Sequence, residues 1–178
     1  MPFWDKELSL FGPEVTNAQG NIQLKKMARH RQAAVIPFRI RGERVEIALV
    51  TTMSGKRWVV PKGSIDEGER SQDAAIRETM EEAGLVGNLE RRPLGRYRFT
   101  RANERYVVEV FLMRVTMVLD YWLEARLRRR RWIAVDRAAA LVGTELQPFV
   151  HLVERLVQPG KGNVSGRTTA SLRNGTRS

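Results

Sequence analysis

Gly63-Ser-Ile-Asp-Glu-Gly-Glu69-Arg-Ser-Gln-Asp-Ala-Ala-Ile-Arg77-Glu78-Thr-Met-Glu81-Glu82-Ala-Gly84-Leu85 decides the reading of this 178-residue chain. Ser71 to Ala83 reads as a helix, and Gly84 stands where the chain turns left-handed after a last helical turn. At about 100° per residue, Glu78, Glu81 and Glu82 share an arc of about 100°. Ile76, Met80 and Ala83 fall opposite. The expectation is one packed apolar side and one triply acidic side. Clustered carboxylates repel and raise each other's pKa. Ion pairs with basic residues relieve that repulsion, and so does a divalent cation; a solvated acidic face is the plainer alternative. An all-oxygen ligand set selects a hard ion, Mg²⁺ first and Mn²⁺ second.

Composition narrows the chemistry. The chain has no cysteine, which excludes disulfides, thiolate metal sites and a cysteine nucleophile. Two histidines, His30 and His151, exclude a multi-histidine metal site and suggest no role by themselves. No apolar run approaches the roughly 18 residues of a membrane span, and the start lacks the layout of a secretory signal. A cytoplasmic protein without a membrane partner is expected. The net charge of +11 favours polyanionic partners: nucleic acid, phosphorylated metabolites or acidic membrane surfaces. Arg128 to Arg131 form a run of four, and the stretch from Pro159 to Ser178 is basic without an acid.

Outward from the helix, a folded unit spans residues 29–157. Residues 1–28 read as a poorly ordered segment, and residues 158–178 as a disordered basic tail. Gln32 to Ile40 and Arg44 to Thr52 form a hairpin, Lys56 to Val60 a short strand ended by Pro61. Leu94 to Thr100 pairs with Arg105 to Val118 around Ala102-Asn103-Glu104, and Arg131 to Val135 is a further strand. Helices are expected at 136–142 and at 145–157, where Pro148 falls in the first turn. The class is α/β, a mixed sheet packed between helices.

The decisive stretch resembles the Nudix box, Gly-x5-Glu-x7-Arg-Glu-U-x-Glu-Glu-x-Gly-U, where U is aliphatic. Gly63, Glu69, Arg77, Glu78, Glu81, Glu82, Gly84 and Leu85 fit, and Thr79 departs at an aliphatic position. The resemblance implies an α/β/α sandwich and Mg²⁺-dependent hydrolysis of a phosphoanhydride, with Mn²⁺ as a substitute. It implies Glu78, Glu82 and the Gly63 carbonyl as metal ligands and Glu81 as the base. Glu69, Arg77 and Gly84 take structural parts.

Substrate choice lies outside the box. Trp58-Val-Val-Pro-Lys-Gly63 is similar to two branches, the diphosphoinositol polyphosphate phosphohydrolases and the diadenosine polyphosphate hydrolases. Arg31-Gln-Ala-Ala-Val35, Leu119-Asp-Tyr-Trp122 and Arg128-Arg-Arg-Arg-Trp132 resemble the first branch. On that likeness Arg31, Thr52, Met53, Ser54, Arg105 and Arg128 are candidates to contact substrate, and Lys62 joins them beside the metal loop. Lys62-Gly63-Ser64 stands where the inositol branch has a glycine run, and the basic tail is foreign to it. Diphosphoinositol or dinucleoside polyphosphates are the expected substrates. Removal of pyrophosphate from RNA 5′ ends, and a non-catalytic module binding a phosphorylated ligand or nucleic acid, are the alternatives. The partner favoured is a small phosphorylated molecule over nucleic acid.

Overall fold

A computed structural model of the chain describes residues 29–158 and two short pairs, β1 (Val15–Thr16) and β2 (Ile22–Gln23). These two strands lie antiparallel within the segment that the sequence reads as poorly ordered. The rest of residues 1–28, and the basic tail from residue 159, lie outside the described residues.

The frame is an eight-stranded mixed sheet. It comprises β3 (Arg29–Arg41), β4 (Arg44–Thr51), β5 (Trp58–Val59), β6 (Lys62–Ser64), β7 (Leu85–Leu89), β8 (Gly95–Arg101), β9 (Glu104–Val118) and β10 (Arg130–Ala134). The order β10-β4-β3-β9-β7 forms the main path, with β5 on β4, β6 on β3 and β8 on β9. β3 and β9 run parallel over ten residue pairs, Arg29 opposite Arg105 through Phe38 opposite Arg114. The other ladders of this sheet are antiparallel. Ala102 and Asn103 turn the β8–β9 hairpin with φ of 49° and 65°.

Helices cover both faces, giving an α/β/α sandwich. α1 (Ser71–Ala83) lies over Ala33, Val35, Phe111 and Met113. α2 (Val135–Ala138), a 3-10 turn at Ala139–Leu141 and α3 (Gln147–Leu156) lie over Ala34, Ile36, Ile47, Leu49, Val108 and Val110. Alternate residues of β3 therefore serve opposite layers, which is why Ala33 through Ile36 are all fully buried.

Two strands of the main sheet are additional to the sequence reading. β6 holds Lys62, Gly63 and Ser64, a polar triplet that becomes a strand because it pairs with Ala34, Ala33 and Gln32. β5 stops at Val59, short of Pro61 as expected, and the Pro61 carbonyl accepts from Val35 at 3.0 Å. β7 continues directly from Gly84 and pairs with the far half of β9.

The helix also turns differently from expectation. Its sheet-facing residues are Ala74, Ala75, Thr79, Glu82 and Ala83, whereas Ile76 and Met80 are exposed. Small side chains let α1 approach the sheet closely, and that rotation carries Glu78 and Glu82 inward. Thr79 satisfies its buried hydroxyl on the Ala75 carbonyl at 2.7 Å, which accounts for its tolerance at an aliphatic position.

This packing separates two neighbouring substitutions. Ala75→Leu should overpack the helix–sheet contact and cost about 1–3 kcal/mol. Ile76→Ser should stay within about 0.5 kcal/mol of wild type. Denaturant midpoints of the two variants check the orientation.

Candidate active site

Gly63 sits on β6 opposite Ala33, with the Glu78 carboxyl group lying against its α-carbon. A β-carbon at residue 63 would overlap that carboxyl group, so glycine is required for Glu78 to reach this position. One turn along the helix, Glu82 is 5% exposed. Its Oε2 accepts the Lys62 backbone N–H at 3.0 Å, and its Oε1 accepts from the Arg128 guanidinium. Burial dominates its chemistry and pushes its pKa up to about 7, against the opposing effects of the Lys62 N–H and Arg128. Burial likewise raises Glu78, opposed by Arg77.

Arg77 fastens the loop of the box. Its Nε donates to Glu69 Oε1 at 3.1 Å, its Nη2 to the Ser64 carbonyl and Glu69 Oε2, both at 3.1 Å, and its Nη1 to Glu78 Oε1 at 2.6 Å. Glu69 also accepts the Asp66 N–H at 2.9 Å, and its hydrogen bonds with Arg77 hold it below the usual carboxylate range. Glu81 lies 3.6 Å from Arg77 Nη1 and is a third exposed. The three glutamates therefore do not form the single convergent face expected from the helical wheel. Glu78 and Glu82 turn in, and Glu81 flanks them beside Arg77.

The run Arg128 to Arg131 splits by alternation. Arg129 and Arg131 are exposed, and Arg128 and Arg130 turn toward α1. Arg128 donates to Glu82, to Glu124 and to the Thr51 carbonyl, the last at 2.9 Å. Glu124 is thus an acidic residue of this site that the sequence reading missed; its only signal was a position four before Arg128. Arg130 donates to the Ala83 carbonyl at 2.5 Å and to the Gly84 and Leu119 carbonyls at 3.1 Å. Trp122 donates its indole N–H to the Glu82 carbonyl at 3.1 Å. Gly84 takes φ of 59°, and a β-carbon there would meet Trp122 Cβ at 2.8 Å, so two separate constraints require this glycine.

The remaining candidates are spread around this centre. The Lys62 ammonium has its pKa lowered by burial; Arg128 and Arg101 add to the fall, and Glu82 and Glu78 oppose it. Arg31 lines a polar cleft with His30 and the loop from Ser64 to Glu69. Its guanidinium lies 3.7 Å from the buried Glu109, which Arg96 also pairs at 2.9 Å. Thr52, Met53 and Ser54 follow β4, next to the Thr51 carbonyl held by Arg128, and the Thr52 and Ser54 hydroxyls lie 3.1 Å apart. Arg105 lies at the start of β9 opposite Thr100, and no described ion pair joins it to the carboxylates.

Among the described residues no three acidic or histidine side chains converge on a common point. Arg77 and Arg128 supply the compensating charge instead. The donor chemistry nevertheless fits a hard divalent ion. Two inward carboxylates lie beside a glycine, their charges disfavoured by burial, and no sulfur or imidazole competes.

Fold and site together present a glutamate-bearing helix packed on a mixed sheet beside a glycine-bearing strand. Residues 28–153 match the family model described as NUDIX domain, and the chain belongs to that family. Nudix hydrolase 4 of Arabidopsis thaliana is 30% identical over 135 residues, covering 70% of this chain and 65% of that protein. The chain thus spans slightly less than two thirds of that relative. Diphosphoinositol polyphosphate phosphohydrolase 3-beta of Bos taurus is 31% identical over 138 residues, 75% of this chain and 83% of that protein. The solved Ap4A hydrolase of C. elegans superposes with a TM-score of 0.63 at 20% identity, over 72% of this chain and 98% of that one, a likeness of fold. Among the described residues no helix is long and apolar enough to cross a membrane.

The raised pKa of Glu82 predicts a pH signature in metal-free protein. Its folded value, about 7, lies above its unfolded value near 4.5. The folded state therefore holds an extra proton between them, and stability falls as pH rises through that window. Relative to Glu82→Gln, wild type should lose about 2–3 kcal/mol between pH 4.5 and pH 7 and change little beyond. Urea melts of both proteins across that range, with chelator present, check the slope.

Proposed function

We propose that this chain is a pyrophosphohydrolase that uses Mg²⁺, with Mn²⁺ as a substitute, to cleave a phosphoanhydride in a densely phosphorylated small molecule. Diphosphoinositol polyphosphates and dinucleoside polyphosphates are the substrate classes. The observation that carries the reading is the pair of inward carboxylates, Glu78 fitted against Gly63 and Glu82 buried beside it. A surface ion-pair network has no need to bury acids at the cost of raising their pKa values.

In this reading Glu78, Glu82 and the Gly63 carbonyl hold the ion. When bound there, it neutralises phosphate charge and acidifies water. Glu81, a third exposed and flanked by Arg77, takes the proton from the attacking water. Coupled carboxylates share such roles, so a loss at any of the three bears on all.

Cations around the carboxylates hold the substrate. Lys62 is a partly desolvated ammonium, and a phosphate oxygen beside it would restore the partner that burial removes. Arg31 reaches solvent over more than half its side chain, next to the box loop. Thr52, Met53 and Ser54 close the side beside Arg128. Arg128 joins substrate and ligand, since its fixed bonds to Glu82, Glu124 and the Thr51 carbonyl leave two of its five N–H groups to give. Arg105 extends the positive field from the start of β9. Two relatives support this choice: a diphosphoinositol polyphosphate phosphohydrolase similar in sequence and an Ap4A hydrolase similar in fold.

A phosphate-release panel with Mg²⁺ tests the reading. It should cover diphosphoinositol polyphosphates, diadenosine polyphosphates, ADP-ribose, nucleoside triphosphates and triphosphorylated RNA. The first two should turn over fastest, and chelator or Glu82→Gln should lower kcat by at least about 100-fold. Turnover that survives both would remove the metal from the mechanism. Gly63→Ala should fold yet lose activity, because Glu78 must leave its place. Arg31→Glu should raise KM for inositol pyrophosphates more than for diadenosine compounds; an equal rise would count against an inositol-directed role.

A further inference from the structure

A helix leaves its last carbonyls without intrahelical partners. α1 has no basic residue in its last turn to help. In this protein the segment from residue 119 to 130 takes them nearly one by one. The Glu81 carbonyl accepts the Glu124 N–H at 3.0 Å, and the Glu82 carbonyl accepts the Trp122 indole N–H at 3.1 Å. The Ala83 carbonyl accepts from Arg130, and the Gly84 carbonyl accepts from Arg130 and from the Leu119 N–H, the latter at 2.8 Å. The donors brace one another, because the Arg130 guanidinium lies 4.5 Å above the Trp122 ring and its Nη2 holds the Leu119 carbonyl. Trp122 in turn packs against the bare α-carbon of Gly84.

Two of the residues whose carbonyls are gripped, Glu81 and Glu82, are ones to which the proposed function gives the chemistry. Glu82 is held at both ends, its carbonyl by Trp122 and its carboxylate by Arg128 and the Lys62 N–H. Arg128 and Arg130 are two apart at the entry to β10, so one extended segment reaches the side chain and the helix end together. β10 pairs with β4 from Arg130 opposite Val50, which ties this segment to the central sheet and through it to β6 and Gly63. The distance from Glu82 to Gly63 is therefore set by a closed loop of fixed parts.

We propose that Trp122 and Arg130 are positioning residues that set the placement of Glu82 and Glu81 relative to Gly63 by capping the last carbonyls of α1. The proposal deepens the metal-dependent reading above and rests on it. Both side chains are engaged with the end of the helix and with each other. Each acts through the helix backbone, and residues that orient metal ligands in this way typically change metal affinity by about 10–100-fold when lost.

The test uses the full chain and Mn²⁺ alone as the probe, followed by electron paramagnetic resonance or calorimetry. Trp122→Phe keeps the ring beneath Arg130 and removes only the donor to Glu82. It should weaken Mn²⁺ binding by about 10-fold, and Arg130→Ala by at least as much, with Arg130→Lys recovering part of the loss. Val150→Ala, a core change in the opposite helical layer, provides a stability control. It should lower the melting temperature while leaving Mn²⁺ affinity within about twofold. In turnover, Trp122→Phe should raise the Mg²⁺ concentration for half-activation and leave the substrate KM at saturating Mg²⁺ unchanged. Wild-type Mn²⁺ affinity in both Trp122→Phe and Arg130→Ala would overturn the proposal, as would an equal loss in Val150→Ala. Absence of saturable Mn²⁺ binding by wild type would instead overturn the metal reading and this proposal together.

Discussion

Burial of the Glu82 carboxylate between the Lys62 N–H and the Arg128 guanidinium is the constraint around which the rest is arranged. Removing a carboxylate from water costs several kcal/mol, and one ion pair seldom returns all of it. The raised pKa of Glu82 shows that it is not fully returned here. A hydrophobic side chain at this inward position would stabilise the helix–sheet contact better. The sequence instead keeps an acid and surrounds it with a backbone donor, an arginine and a neighbouring lysine. Such an outlay in stability is expected where a site must accept a cation.

The helix is shaped by the same demand. Ala74 and Ala75 allow α1 to lie close over β3 and β9, Ala83 packs against Ala48 and Val50 of β4, and the rotation that achieves this leaves Ile76 and Met80 in solvent. An apolar-first packing would have turned those two inward and sent Glu78 and Glu82 out. Gly63 and Gly84 mark the two ends of the arrangement. The first makes room for Glu78, and the second lets the chain leave the helix directly over Trp122. Arg77 then locks the loop between β6 and α1 through Glu69 and the Ser64 carbonyl. The result is a rigid cradle built from short-range parts, each attached to the central sheet.

Much of this was legible in the sequence for reasons of local chemistry. The hairpin of β3 and β4, the pair β8 and β9, the span of α1 and its stop at Gly84 follow from alternation, turn residues and helix-end signals. The box spacing named the family. What was not legible depended on long-range pairing. β6 is a polar triplet that becomes a strand only against Ala33 and Ala34. The helical wheel weighed Ile76 and Met80 by hydrophobicity, and small residues with two inward acids prevailed because the sheet needed a close neighbour. The four arginines looked alike in sequence. Strand alternation separates Arg128 and Arg130 from Arg129 and Arg131, and only the fold shows that the inner pair reaches α1. Glu124 and Trp122 carried too little local pattern to be assigned.

The central claim is that Glu78 and Glu82 face inward to hold a divalent ion beside Gly63. Anomalous diffraction from crystals equilibrated with Mn²⁺ tests it most directly. The account predicts a manganese peak at about 2.0–2.2 Å from an oxygen of Glu78, an oxygen of Glu82 and the Gly63 carbonyl, with Arg77 and Arg128 moved off the coordinating oxygens. A manganese peak elsewhere, or none at saturating concentration with both arginines still bonded to the glutamates, would contradict it.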